Sequence, residues 1–341
     1  MHMADALVSP AVAGTMYAVS AAAAGYSIYK VKKEDDASKI PVMGVMGAFV
    51  FAAQMINFTI PGTGSSGHLC GGMLLSALLG PYAGFLTMIG VLFVQCLMFA
   101  DGGLLALGCN IWNMAFYGCF IGSILIWKFI MKNGVSKKKI TIASILGCVI
   151  TLQLGAFSVT LETLASGITK LSFGAFVSVM QPIHLAIGLV EGIITACVLV
   201  FVYEARPELL WGIGGSSEKL KNRFSLKKTV AILAAAAVGA RAGFLAGGLS
   251  LAASQYPDGL EWSIEKLTGD TELESDGEIY DKASQVQDTT AVLPDYSFKD
   301  SDSAAGTSVS GIAGALMVVA VCTAGCFIFR FFKNKKVKIS E

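Results

Sequence analysis

The first two residues of the chain can chelate a metal ion. The α-amine of Met1, with the amide nitrogen and the imidazole of His2, can close two fused rings around one cation and offers three nitrogen donors in a plane. Binding requires that the amine and the amide nitrogen lose their protons, which only a strongly polarising metal brings about. Among first-row ions a planar nitrogen set suits nickel(II) or copper(II). A histidine at position 2 of an arbitrary protein usually has no such role, so this interpretation needs a fourth ligand.

The amine of Met1 is expected to be free. Initiator methionine is normally removed only when the second residue is small, which histidine is not. A cleaved signal peptide has basic residues before its apolar core, whereas no lysine or arginine precedes Lys30. We therefore expect the N-terminus to be retained.

The candidate fourth ligand is His68, one of three histidines in the chain. It follows a segment at 57–67 whose glycine and proline content predicts a loop, and such a loop can turn sharply and enter a helix bundle where protein or a water-filled cavity surrounds it. An interfacial histidine bonded to a loop carbonyl explains His68 equally well. Spacing alone leaves both interpretations open.

The elements that must position these residues are membrane-spanning helices. The 341 residues are 54% hydrophobic and 14% charged, against about 25% charged in a soluble domain. Because a helix crossing needs about 20 apolar residues, the sequence predicts an all-α integral membrane protein. Its nine predicted spans lie at 10–29, 40–60, 68–80, 82–100, 104–131, 140–161, 182–203, 229–253 and 307–332. The third run is short, and Gly80 and Pro81 interrupt it, so it can instead belong to one bent segment.

Lysine and arginine predict the orientation of the spans. Of the 25 basic residues, 20 lie in segments that are cytoplasmic if the N-terminus is outside, and four lie in outer segments. Basic residues concentrate on the cytoplasmic side of membrane proteins. We therefore predict an external N-terminus and a cytoplasmic C-terminus, which places His2 and the loop of His68 on the same outer side.

The segment 254–306 differs from the rest of the chain, because it carries 13 of the 24 acidic residues. Few large apolar residues accompany them, so we predict an extracytoplasmic loop with little core of its own, acting as a solvated linker. The alternative is that the acidic residues concentrate cations near the entrance to the helix bundle. Only the sign of their charge supports this alternative. A polar, basic stretch at 204–228 separates seven spans from two.

Three motifs resemble the CbiM/NikM family, the substrate-specific components of nickel and cobalt energy-coupling factor (ECF) transporters. They are MHMADAL at 1–7, the loop 61–72 with SGHL at 66–69, and FADGG at 99–103 followed by GCNIWNM at 108–114; Cys109 departs from the more common alanine. The resemblance covers 1–215 and implies a seven-helix bundle in which Met1, His2 and His68 bind the metal.

The C-terminal unit, 216–341, resembles the small partner NikN or CbiN, since PDGLEW at 257–262 looks like the PDGLE signature. This resemblance implies two further transmembrane helices around the acidic loop and a helper role, without metal ligands.

Other polar residues have two interpretations each. We predict that Asp101, Asn110, Asn113 and His184 either support the site through hydrogen bonds or serve ordinary capping and bundle contacts. His184 follows Pro182 at the outer start of the seventh span. Glu191 and Arg241 are costly in lipid, and we expect them to face the interior or a partner. A pair between the two across the seam at 204–228 is one such arrangement.

The chain is predicted to be a transporter subunit and not an enzyme. It contains no G-x-x-x-x-G-K-[ST] phosphate-binding pattern, and the family resemblance implies a transmembrane coupling subunit and a cytoplasmic ATPase pair as partners, with membrane lipid and no nucleic acid. A secondary transporter or channel is the alternative, and a membrane metalloenzyme would need an open coordination position with a general base. The sequence leaves nickel and cobalt open as the transported ion.

Overall fold

The computed structural model describes residues 1–34, 39–213, 254–299 and 304–337, and these residues are mostly helical. Within them, six helices are long and apolar enough to cross a membrane, and all six coincide with predicted spans. The predicted span 229–253, with Arg241, lies outside the described residues. In chain order the helices are α1 (Pro10–Glu34), α2 (Lys39–Gln54), α3 (Gly72–Leu79), α4 (Pro81–Phe99), α5 (Leu107–Met131), α6 (Lys137–Ser166), α7 (Phe173–Ala205), α8 (Gly259–Thr268), α9 (Glu278–Thr290) and α10 (Ala304–Val337).

The predicted crossing at 68–80 is wrong. The structure has the helix α3 there, with eight residues, so it is about 12 Å long at 1.5 Å per residue, against a hydrocarbon core of about 30 Å. Every residue of α3 is buried. A helix that protein encloses on all sides is apolar around its whole circumference. Its sequence therefore looks like that of a membrane span. Gly71 begins it with a φ of 84°, which glycine adopts without strain.

A β-hairpin interrupts the all-α fold on the predicted outer side. The antiparallel strands Phe58–Ile60 (β1) and Ser65–Gly67 (β2) pair in the register Phe58↔Gly67. The predicted second span, 40–60, therefore ends early, since α2 stops at Gln54. The hairpin delivers His68 directly after its second strand.

The helices α6 and α7 form the most extensive helix–helix contact among the described residues. A Cβ on Gly192 would lie 2.7 Å from the Cα of Ile145, so the two backbones approach closely there, as small residues allow in membrane bundles. Because α7 begins at Phe173, Pro182 lies inside the helix. His184 therefore sits within α7 and not at its outer start as predicted.

The acidic segment is folded, which corrects the prediction of a solvated linker. It contains α8 and α9, and α8 packs against α7 and β2. Leu260 and Ile264 of α8 are 1% and 4% exposed, and Tyr280 of α9 is 9% exposed. Short apolar faces between charged positions thus suffice to dock both helices.

The last helix, α10, packs against α2 and α4. A Cβ on Gly47 would lie 2.9 Å from the Val318 Cγ1 atom, so α2 and α10 are in close contact. The C-terminal part of the chain, residues 254–337, therefore contacts the N-terminal part, residues 1–213, through α10 on one side and through α8 on another.

Candidate metal site

The first eight residues enter the bundle instead of extending into solvent. Met3 and Leu7 are 0% and 1% exposed. Asn110, at the first turn of α5, holds the backbone of Met3 from both sides: its Oδ1 accepts from the Met3 amide at 2.7 Å and its Nδ2 donates to the Met3 carbonyl at 3.1 Å. This segment is thereby fixed immediately after the chelating pair.

The loop directly before α5 also holds the N-terminal segment in place. The Gly103 amide donates to the Met3 carbonyl at 2.8 Å, and the Ala106 amide donates to Asp5 Oδ1 at 2.9 Å. A Cβ on Gly103 would lie only 1.9 Å from Asp5 Oδ1. Position 103 therefore admits no side chain while the N-terminal segment stays in place.

The structure brings Met1, His2 and His68 together, as the sequence predicts. The Met1 nitrogen lies 3.2 Å from His68 Nε2. Nδ1 of His68 donates to the Leu69 carbonyl at 3.1 Å, and this leaves Nε2 with its lone pair toward the amine. The rings of His2 and His68 stack with centroids 5.3 Å apart.

Each nitrogen of the His2 imidazole lies beside a polar oxygen. Nε2 contacts Gln95 Oε1 at 3.3 Å, and Nδ1 lies 3.1 Å from Asp101 Oδ1. When Nε2 carries the proton and donates it to Gln95, Nδ1 keeps its lone pair, which is the atom a chelate with the Met1 amine needs. Tyr296 Oη donates to the other oxygen of Asp101.

Asp258 is the residue that sequence reasoning missed. The Met1 ammonium donates to Asp258 Oδ2, which also lies 3.9 Å from His68 Nε2. Its Oδ1 accepts from the amides of Leu260 and Glu261 at 2.7 and 3.0 Å and caps α8. The spacing Asp258-x-x-Glu261 is a capping-box pattern, a local signal for this helix start.

Burial and charge set the protonation states around the site. Burial, with the nearby N-terminal charge, lowers the pKa of His68 to about 3, and burial likewise lowers the pKa of His2. Both imidazoles are therefore neutral at pH 7. Burial would also lower the pKa of the Met1 amine, but the charge of Asp258 and its hydrogen bond raise it. The charge of Asp258, together with burial, raises the pKa of Glu261 to about 7.

Two cavities adjoin the site, one on each side of His68 and Asp258. The larger has a volume of about 300 Å³, and its lining includes His2 and the four carboxylates Asp101, Asp258, Glu261 and Asp295. The smaller, of about 20 Å³, is lined by Met1 and His184 among others. The larger cavity is acidic and large enough for a hydrated cation to approach.

The remaining predicted residues are close to the site without touching the donors. Asn113 Nδ2 donates to Glu162 Oε2 at 2.6 Å and contacts the Met3 sulfur at 3.5 Å. His184 Nδ1 donates to the Met180 carbonyl at 2.8 Å, and its Nε2 has no hydrogen-bond partner among the described residues.

A pair of Glu191 with Arg241 was one expected arrangement, but Arg241 lies outside the described residues. In the structure Glu191 Oε1 accepts from the Gly71 amide at 3.0 Å. Glu191 thereby fixes the turn between the loop of His68 and α3.

The donors at this site include main-chain nitrogens. In the positions that residues 1–34, 39–213, 254–299 and 304–337 occupy in the structure, no three His, Cys, Asp or Glu side chains lie close enough together to hold a metal ion by themselves. A cation bound here would therefore use the Met1 amine and the His2 amide together with the two imidazoles, the planar nitrogen set that suits nickel or copper.

Two family profiles match the chain. The family described as cobalt uptake substrate-specific transmembrane region, CbiM, matches residues 2–209, and the PDGLE domain matches residues 227–331.

The chain is similar to metal transport proteins in sequence and in structure. An Archaeoglobus fulgidus chain named as a fused nickel transport protein, NikMN, is 35% identical over 325 residues, 94% of this chain and 96% of that one. The Geobacter sulfurreducens cobalt transport protein CbiM is 26% identical over 277 residues, 79% of this chain and 78% of that one. A crystal structure of a truncated transition metal transporter superposes with a TM-score of 0.53 at 29% identity, over 60% of this chain and 99% of that one.

Proposed function

The chain belongs to the CbiM family of cobalt uptake substrate-specific transmembrane proteins and carries a PDGLE domain, and we propose that it captures Ni²⁺ or Co²⁺ as the substrate-specific subunit of an ECF importer. It is a multi-pass membrane protein. Its N-terminus is outside the cell and its C-terminus cytoplasmic, in agreement with the basic residues of the inner segments. Residues 1–215 form the metal-binding unit, and 216–341 form the second unit.

One observation carries this proposal: the Met1 nitrogen lies 3.2 Å from His68 Nε2, although 67 residues separate them in sequence. In the proposed complex the Met1 amine, the His2 amide nitrogen, His2 Nδ1 and His68 Nε2 hold one cation. Both imidazoles are neutral and need not lose a proton before they bind.

Capture proceeds from the acidic cavity. Its carboxylates raise the local concentration of cations, and the cation then replaces the ammonium proton between Met1 and His68. A coupling subunit and a pair of ATPases supply the energy for uptake, and the ion is released inward when the site is distorted. No residue of the chain acts as a catalyst.

Metal binding to the full-length chain tests the site. Purified protein is loaded with Ni²⁺ or Co²⁺, and bound metal is measured by elemental analysis, with intact mass confirming that Met1 is present. We expect one ion per chain. One alanine added before Met1 should abolish binding, and so should His68→Ala. One alanine added after Glu341 is the matched control and should bind fully. Undiminished binding by the N-terminally extended chain would refute the amine ligand.

Uptake measurements test the mechanism against the alternative, a secondary transporter or channel. Cells that express the chain with a coupling subunit and an ATPase pair should accumulate metal, and an inactive ATPase should abolish the accumulation. A secondary transporter or channel would continue to accumulate metal without ATPase activity. Competition between Ni²⁺ and Co²⁺ in the same assay identifies the preferred ion.

A further inference from the structure

We propose that Asp258, from the C-terminal part of the chain, is an oxygen ligand of the transported cation, so that both parts of the chain build one metal site. The inference rests on the proposed function and extends it, because the family resemblance implied a helper role for this part without ligands. It assigns the PDGLE segment a direct chemical task in binding a divalent cation.

Two of the three distances fit donors around one ion. Nitrogen and carboxylate oxygen ligands lie about 2.0–2.2 Å from a divalent cation such as Zn²⁺, so two of them on one ion are roughly 2.8–4.3 Å apart. His68 Nε2 lies 3.2 Å from the Met1 nitrogen and 3.9 Å from Asp258 Oδ2. The Met1 nitrogen and Asp258 Oδ2 are in direct hydrogen-bond contact. They must move apart when the ammonium loses its proton and a cation takes the place between them.

Charge supports the same assignment. A divalent cation bound by a neutral amine, one deprotonated amide and two neutral imidazoles leaves a net charge of +1. The side chains of Met1, His68 and Asp258 are 6%, 10% and 13% exposed, and an unbalanced charge is costly where little water reaches it. The carboxylate of Asp258 makes the complex neutral.

The fold holds Asp258 in this position through its neighbours in the motif. The capping box engages Oδ1 with the amides of Leu260 and Glu261 and leaves Oδ2 toward Met1. The Pro257 carbonyl accepts from the amide of Ser66 at 2.8 Å, which ties the motif to β2 directly before His68.

Gly259 completes the docking of the motif. A Cβ there would lie 2.7 Å from Ile187 Cδ1 and 3.0 Å from His184 Cε1. A side chain at position 259 would therefore displace Ile187 and His184 of α7, and glycine lets the start of α8 lie against α7 without that displacement. The motif Pro257 to Glu261 thus consists of residues that bind, cap or permit close approach at this site.

An oxygen ligand has a spectroscopic consequence. Nickel(II) with four nitrogens in a plane has all its electrons paired, whereas a fifth donor above the plane leaves unpaired electrons. Coordination geometry is diagnostic of the ligand set. Nickel bound to the full-length chain is therefore expected to be paramagnetic.

Asp258→Asn tests the proposal in the full-length chain. Asparagine is nearly isosteric and also caps helices well, so α8 can still begin at the same residue. We expect the variant to bind Ni²⁺ or Co²⁺ about 10- to 100-fold more weakly, the size of effect seen when metal sites lose supporting groups, and its bound nickel to become diamagnetic. Glu265→Gln is the matched control, because it removes a charge from an exposed position of the same helix, outside the cavity and the capping box. It should bind within about twofold of the unmodified chain.

The outcomes separate this inference from the proposed function. If the unmodified chain binds metal and His68→Ala does not, while Asp258→Asn matches the unmodified chain in affinity and magnetism, the proposed function stands and the oxygen ligand is refuted. If His68→Ala still binds, the proposed function itself fails. If Asp258→Asn does not fold, the magnetism of nickel bound to the unmodified chain tests the proposal. Paramagnetic nickel supports Asp258 as a ligand, and diamagnetic nickel overturns it.

Discussion

Nδ1 of His2 lies 3.1 Å from Asp101 Oδ1, so the imidazole nitrogen needed for chelation already faces a carboxylate. The Met1 ammonium donates to the carboxylate of Asp258, a charge-assisted hydrogen bond that orients the amine. The contact at His2 differs, because the lone pair of Nδ1 and the carboxylate oxygen are both acceptors, and a cation beside Nδ1 would be attracted to both.

Asp101→Asn should weaken metal binding without abolishing it. The substitution keeps the shape of the side chain but removes the negative charge 3.1 Å from Nδ1 of His2, and loss of such a supporting group costs about 10- to 100-fold in metal affinity. Calorimetric titration with Ni²⁺ measures the change. Asp295→Asn is the control, because Asp295 lines the same cavity and asparagine tolerates its positive φ of 47°. Equal effects of the two variants would show that general charge, not the carboxylate beside His2, is responsible.

Metal binding should release two protons per ion, one from the Met1 amine and one from the His2 amide. The imidazoles contribute none, because burial lowers the pKa of both. The pKa of the amine is raised, so it is protonated below pH 8. The dissociation constant should therefore fall about 100-fold for each pH unit between pH 6 and 7.5, because two protons leave.

Calorimetry in two buffers with different ionisation enthalpies counts the released protons directly. Release of one proton would contradict binding through the amide nitrogen. A pH-independent dissociation constant would contradict the amine as well.

Gly103→Ala should abolish metal binding although Gly103 is not a ligand. The new Cβ would lie 1.9 Å from Asp5 Oδ1, and the N-terminal segment must move to relieve this clash. Overpacking of this kind costs about 1–3 kcal/mol or more, so the melting temperature should fall as well. Gly14→Ala is the control, since its Cβ meets nothing within 4 Å. Normal binding by Gly103→Ala would mean that the segment tolerates displacement.

Gly259→Ala should weaken both the docking of α8 and metal affinity. Its Cβ would crowd Ile187 and His184 on α7, and the resulting shift would withdraw Asp258 from the amine. Thermal unfolding and metal titration of the full-length chain measure the two effects. Gly174→Ala, in the first turn of α7 and with open space around its Cβ, should change neither quantity. A variant with a lower melting temperature and unchanged affinity would separate docking from binding.

The sequence predicted the long helices, because apolar length is a local property. The convergence of His2 with His68 was implied by the family resemblance, since spacing alone left the role of His68 open. It misjudged 68–80, since a short enclosed helix such as Gly72–Leu79 has the composition of a span. It also misjudged the acidic segment. Leu260, Ile264 and Tyr280 are buried there, but each lies near charged residues in the sequence. Their burial depends on partner surfaces: α7 and the hairpin for α8, and α4 with the backbone of Val8 for α9.

The contact between Asp258 and Met1 could not be deduced from spacing, because 257 residues separate them. The capping pattern of Asp258 and Glu261 predicts a helix start and nothing about its neighbour in space. Partners of this kind are determined by the topology of the whole chain.

The helix α10, which follows the acidic segment in the chain, packs against α2 of the N-terminal bundle. This contact keeps the acidic segment close to the bundle. Because both belong to one polypeptide, the carboxylate beside Met1 does not have to arrive by diffusion. A tethered group has an effective concentration on the order of millimolar, independent of expression level. A single chain therefore keeps Asp258 beside Met1 at any dilution, whereas a bundle served by a separate small subunit would lose this carboxylate as that subunit dissociates.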